Sequence, residues 1–180
     1  MKPMLQGAKQ LLYHFWDSIV NVGVHPAMPF IESRRTKLLN LLILPGIPLM
    51  MIFSVVNAVQ GIYLLSVLSV LTTCMGLTVL LRHKYRMYLS ARTVLIFFSV
   101  VVYTFTGLYF HNGAEYFLLN IMVVSILIYD NKWLVGCLSA LIILAFLLII
   151  FMPQSWYLAP PVPTRRIWGN VAVALLFPVV

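Results

Sequence analysis

The chain has 180 residues, 62% of them apolar and only 9% charged, with a mean hydropathy of +1.00. Soluble domains are about half apolar and a quarter charged, and a fold this small has too much surface for its volume to hide such an excess. That composition excludes an ordinary soluble domain and excludes disorder, and the net charge of +8 fits Lys and Arg gathered on the cytoplasmic side of a membrane rather than a nucleic-acid binder.

The expected fold is an all-α polytopic membrane protein, a six-helix transmembrane bundle over residues 37–180 preceded by a cytoplasmic amphipathic segment over 1–36. In that segment the apolar residues come in pairs, Leu11-Leu12, Phe15-Trp16 and Ile19-Val20, a spacing that paints one face of a helix lying on the inner leaflet, or alternatively buried against a cytoplasmic partner domain. No signal peptide is read there, since the apolar core is interrupted. Pro26 and Pro29 break the helix before Arg34, Arg35 and Lys37 anchor the first span. A spanning helix needs roughly 20 apolar residues, and six candidates follow: Leu38–Val59, Ile62–Leu81, Thr93–Phe110, Tyr116–Tyr129, Trp133–Met152 and Ile167–Val180. Pro45, Gly46 and Pro48 predict a kink or local unwinding in the first, because each Pro removes a helical hydrogen bond. The fourth spans only if its polar flanks, Gly113 to Asn131, are helical too. Membrane strands are a poor alternative, because the nearly continuous apolar run Leu138–Phe151 lacks their period-two alternation.

Ten of the twelve Lys and Arg fall on one side of a six-span topology: Lys2, Lys9, Arg34, Arg35, Lys37, Arg82, Lys84, Arg86, Arg92 and Lys132. Arg165 and Arg166 fall on the other. The positive-inside rule then puts both termini in the cytoplasm. The sixth candidate offers fourteen residues, about 21 Å against a hydrocarbon core of about 30 Å, so the sequence is expected to continue past Val180 to a polar anchor.

Little of the chain carries chemistry. Cys74 and Cys137 fall within spans, where packing is the expected role; no metal cage, cofactor site, P-loop or dinucleotide fingerprint is present. The informative segment is Tyr109 to Asn120. Its turn, Asn112-Gly113, is bracketed by His111 and Glu115, and aromatic residues flank both sides. Ionisable groups near a bilayer are costly and mark function. The candidate ligand-binding residues are therefore Tyr109, His111, Asn112, Glu115 and Asn120, at a pocket on the outer side. The bland alternative is a hydrated turn within an aromatic belt. Asn40, Asn57, Gln60, Asn120 and Asn170 lie in or beside spans, where amides hydrogen-bond between helices.

Phe110-His111-Asn112-Gly113 followed by Glu115-Tyr116, then Tyr129-Asp130-Asn131-Lys132-Trp133 and Thr164-Arg165-Arg166-Ile167-Trp168-Gly169-Asn170, together with the amphipathic start and the paired Arg, resemble the six-helix N-terminal input domain of bacterial sensor histidine kinases and membrane-anchored nucleotide cyclases. The resemblance implies a sensory module of the bacterial inner membrane that passes a helix displacement to a cytoplasmic effector domain in cis. The chain lacks the phosphoacceptor histidine, glycine boxes and paired aspartates of such effectors, so it is expected not to be an enzyme itself. The partners expected are the bilayer, a second copy in a homodimer, the effector domain and a small-molecule or lipid ligand, with no nucleic acid. The alternative from another class is a small oligomeric transporter or channel, supported by the proline pair of the first span and the scattered amides.

Overall fold

The computed structural model describes residues 17–153 and 164–176. The described residues are helical with short connections and contain no strand. The helices are α1 (Phe30–Val59), α2 (Tyr63–Lys84), α3 (Tyr88–Phe110), α4 (Tyr116–Ile128), α5 (Lys132–Ile150) and α6 (Thr164–Leu176). Four of them, α1, α2, α3 and α5, are long and apolar enough to cross a membrane. Much of their surface is apolar and exposed, as at Val55 (64%), Phe97 (70%) and Leu144 (67%), far beyond what a soluble monomer leaves to water.

The helix ends explain where the spans differ from expectation. α1 begins eight residues early because Pro29 (φ −55°, ψ 141°) turns the chain into the helix and accepts from Ser33 N–H at 3.0 Å. Arg34 and Arg35 consequently sit inside the helix rather than ahead of it, with Arg35 facing Glu32 at 3.7 Å. α1 then runs through Pro45, Gly46 and Pro48 without a break; the two prolines remove the donors that the carbonyls of Leu41 and Leu44 would otherwise receive. α1 and α2 end alike, by a backbone N–H reaching back five residues: Ile62 to Asn57 and Met87 to Arg82, each at 2.9 Å. This closure uses a residue at positive φ, here Gly61 (74°) and, less commonly, Arg86 (61°).

α4 is shorter than the fourth candidate required. Gly113 to Glu115 form a turn and Tyr129 and Asn131 are extended, so only 13 residues are helical, about 20 Å. The polar flanks lie outside the helix because Asn131 instead caps α5, its side chain accepting from the N–H groups of Trp133 (3.0 Å) and Leu134 (3.2 Å). The sixth candidate is helical from Thr164 to Leu176, and 177–180 lie outside the described residues. Of the expected amphipathic helix, 17–20 are helical, whereas Leu11, Phe15 and Trp16 lie outside the described residues. Cys74 and Cys137 are free thiols on exposed helix faces rather than packed inside.

The chain divides into two compact units at Ala91/Arg92, early in α3. In the first, α1 and α2 form an antiparallel pair. The hydroxyls of Ser54 and Ser66 lie 3.0 Å apart and each donates to the other residue's backbone carbonyl; Asn57 donates to Ser69. Toward the far end of the pair Gly76 lets Ile43 and Ile47 approach closely. At that end a polar cluster clamps the preceding loop. Asn40 is fully buried and donates to the carbonyls of Val20 and Val22, both at 2.9 Å. Its Oδ1 is therefore the acceptor facing His83 Nδ1 at 2.6 Å, which assigns that nitrogen a proton. Tyr88 donates to Gly23 O at 2.6 Å.

Gly23 carries two demands at once. Its φ is +78°, and a Cβ there would stand 2.3 Å from the His83 carbonyl oxygen. Gly23→Ala is expected to destabilise the chain by more than the roughly 1–2 kcal/mol of a left-handed L-residue. Gly46→Ala, where nothing lies within 4 Å, should leave stability unchanged or slightly raised. Unfolding temperatures of the two variants in detergent check the contrast; equal shifts would contradict the clamp.

Candidate functional site

The second unit is built around Leu118, Ile142 and Ile149, all fully buried, with Tyr103, Leu108, Ile121 and Phe146 packed against them. Tyr103 stacks on Phe117 at 5.3 Å, and Tyr116 meets the edge of Phe146 at 5.7 Å. These contacts join α3, α4 and α5 beneath the 111–115 turn and fix where its side chains sit.

The turn is made by the residues the sequence singles out. His111 enters it at φ +42°, its N–H still bonded to the Gly107 carbonyl at 3.0 Å. Asn112 then folds its side chain back to accept from Ala114 N–H at 3.1 Å, an Asx turn. Gly113 follows at φ +84°, and Phe117 and Leu118 N–H groups close onto Ala114 and Glu115 to start α4. Asn112 (3% exposed) and Glu115 (2%) point inward.

Glu115 is the chemical centre of this arrangement. Its Cβ lies 3.3 Å from where a Cβ on Gly107 would be, and Ile149 closes the same spot at 2.8 Å. A side chain at 107 would fill the space that Glu115 occupies. Glu115 Oε1 faces His111 Nδ1 at 4.0 Å, with the imidazole about one-third exposed. Oε2 is buried and has no hydrogen-bond partner. Burial holds the Glu115 carboxyl above the usual carboxylate range, while hydrogen bonds from the backbone of Glu115 and Gly113 and the charge of His111 pull it back. The sequence reading presented this carboxyl to an outward pocket; the structure encloses it.

α6 is sewn to the turn through two asparagines. Asn170 donates to the Asn112 carbonyl at 2.7 Å, and Asn120 on α4 donates to the Ala174 carbonyl at 2.8 Å. Gly113 makes this approach possible, since a Cβ there would stand 2.8 Å from the Ile167 carbonyl oxygen. His111, Asn112, Glu115 and Asn120 are thus brought together around one helix entry. Tyr109 is set differently: it stacks on Phe105 at 5.6 Å and edges onto Phe110 at 4.7 Å, an aromatic cluster of α3. Pro45, Gly46 and Pro48 belong to α1 in the first unit.

Two groups escaped the sequence reading. Gly107 carries no signal except that it faces Glu115, eight residues on. His83 is hidden in the basic run Arg82-His83-Lys84, where it looks like a solvated anchor. The signal was its register: Leu65, Ser69, Thr73, Gly76, Val79 and His83 recur every three or four residues and form the buried stripe of α2. As for metals, His111 and Glu115 are two donors where zinc takes three or four, and among the described residues no three His, Cys, Asp or Glu come together.

Comparison with known proteins adds no relative: no family model, no curated protein and no solved structure matches the chain.

The raised Glu115 carboxyl sets a pH dependence. A proton held more tightly by the folded chain than by the unfolded one stabilises the fold below the ordinary carboxylate range. That contribution is lost as pH rises through the raised value. Unfolding temperature in detergent is therefore expected to fall from mildly acidic to mildly alkaline buffer. Glu115→Gln, which keeps the shape without the charge, should flatten that slope; an unchanged slope would remove Glu115 as its source.

Proposed function

We propose that the chain is the membrane-embedded input module of a bacterial signal-transduction receptor. In this reading it spans the inner membrane six times with the N-terminus in the cytoplasm, works as a homodimer, and couples a small, lipophilic or membrane-borne signal to an effector domain in cis. α4 and α6 are then the short spans. A 20 Å helix is accommodated by local thinning of the bilayer and by snorkelling of its flanking residues. The module carries no catalysis of its own.

The observation that carries the reading is the link between the buried turn and α6. Glu115 is enclosed at the entry of α4, and Asn112 and Asn120 tie that entry to Asn170 and Ala174 on α6. A buried ionisable group inside a bundle is costly to maintain and signals a role beyond packing. A change of charge or contact at Glu115 or His111 shifts the turn, and the asparagine bonds pass the shift to α6. In the receptor modules that the chain resembles, the effector follows the sixth helix, so a displacement of α6 is the output. Lys84, Arg86, Arg92 and Lys132 supply the positive-inside bias that puts the turn on the outer side.

Reporter fusions after Lys84 are expected to report the cytoplasm and fusions after Asn112 the exterior; the reverse would place the turn on the wrong side for sensing. Fused ahead of a histidine kinase or cyclase effector, the chain should lose or alter its regulated output on Glu115→Ala or His111→Ala while still inserting. An effector indifferent to both substitutions would leave the turn as architecture and return the chain to the transporter alternative.

A further inference from the structure

We propose that Glu115 is a proton-binding site, at which the enclosed carboxyl takes up and releases a single proton and thereby sets whether the α4 entry stays packed against Gly107 and Ile149.

The geometry provides for a neutral carboxyl and poorly for a charged one. Glu115 is 2% exposed, its Oε2 has no hydrogen-bond partner, and its Cβ is seated beside Gly107, where the Ile149 side chain also packs. A carboxylate oxygen left bare in such surroundings is expensive, whereas the protonated acid is not. The carboxyl is also within reach of solvent by one route. His111 stands 4.0 Å away and is partly exposed, too far for a hydrogen bond and right for a bridging water or a small swing of the ring. Protonation forms the O–H bond of the acid with a proton drawn from outside water through that route; release breaks the same bond and returns the proton by it. The left-handed φ of His111 aims the ring at the carboxyl while the chain leaves α3, a strained conformation of the kind found where a local device is held in place.

The other ionisable groups on the surrounding elements are few. Tyr103 and Tyr109 lie on α3 and Tyr116 follows Glu115 in α4. Arg92 stands at the far end of α3, about 22 Å along it, and Lys132 and Cys137 toward the far end of α5, with Lys132 about 25 Å from Ile149. Arg165 and Arg166 belong to the first turn of α6, so the test reads the carboxyl itself.

As a statement about what the module responds to, the inference rests on the receptor reading; as a proton site it stands without it. The chain has only two glutamates, Glu32 and Glu115. Glu32 lies in the first turn of α1, beside Arg35, so Glu32→Gln leaves Glu115 as the sole glutamate without touching the site. The experiment is infrared titration of this variant in lipid nanodiscs, with the glutamate side-chain carboxyl labelled with carbon-13. A labelled carboxyl that loses its proton in a single step above the ordinary carboxylate range is the expected result. A labelled carboxyl that ionises within the ordinary carboxylate range overturns the proposal. The expected titration alongside a fused effector whose output is flat across the same pH range supports the proton site and overturns the receptor reading.

Discussion

Backbone N–H and C=O groups that have no water around them must be paired by the chain itself, and a 62% apolar sequence meets that demand throughout the described residues with helices. The demand is sharpest where each helix stops, because the last carbonyls and the first amides have no partners within the helix. Four of the described connections are shaped by it. Ile62 and Met87 reach back over residues at positive φ, Asn131 covers the first amides of α5, and Asn112 turns onto Ala114 before α4 begins. The turns are short because their polar groups are used up in closing the helices.

The same need for pairing explains the asparagines. In apolar surroundings a side-chain amide finds a partner on a neighbouring element, for a modest gain of about 0.6 kcal/mol on average. Asn57 does so to Ser69, Asn120 to Ala174 and Asn170 to Asn112. Their value here is directional more than energetic. Two of the three join α6 to the entry of α4, so this short helix is registered against the turn that holds Glu115. In the first unit Asn40 binds two loop carbonyls and His83 at once, with all the amide's capacity except one lone pair engaged. A group so fully committed makes the loop part of the helix pair.

Glu115 departs from this rule of complete satisfaction. It is as buried as the core leucines around it, and one of its oxygens is left without a partner. A carboxyl in that position is tolerated when it is neutral, which ties the packing of α4 to a protonation state. Gly107 and Gly113 make room for this, one by letting the Glu115 Cβ lie close against α3 and the other by letting the Ile167 carbonyl come close. Structural economy would have put an apolar residue at 115. The acid that stands there instead is the strongest sign that the turn has a task.

Composition and periodicity alone determined that the chain is helical and apolar enough for a membrane, and they located α1, α2, α3 and α5 to within a few residues at most ends. This worked because a long apolar run has only one way to satisfy its backbone. They also pointed to His111, Asn112 and Glu115, since ionisable residues are rare enough in this chain to stand out. Tertiary structure decided what is set by neighbours distant in sequence: the enclosure of Glu115 by Gly107 and Ile149, the tie of Asn170 to Asn112, and the burial of His83 within a basic run. It also decided that α4 stops at 13 residues. The flanking Asn112 and Asn131 each had a choice between extending a helix and capping one, and the choice falls to whichever backbone amides the fold leaves unpaired beside them.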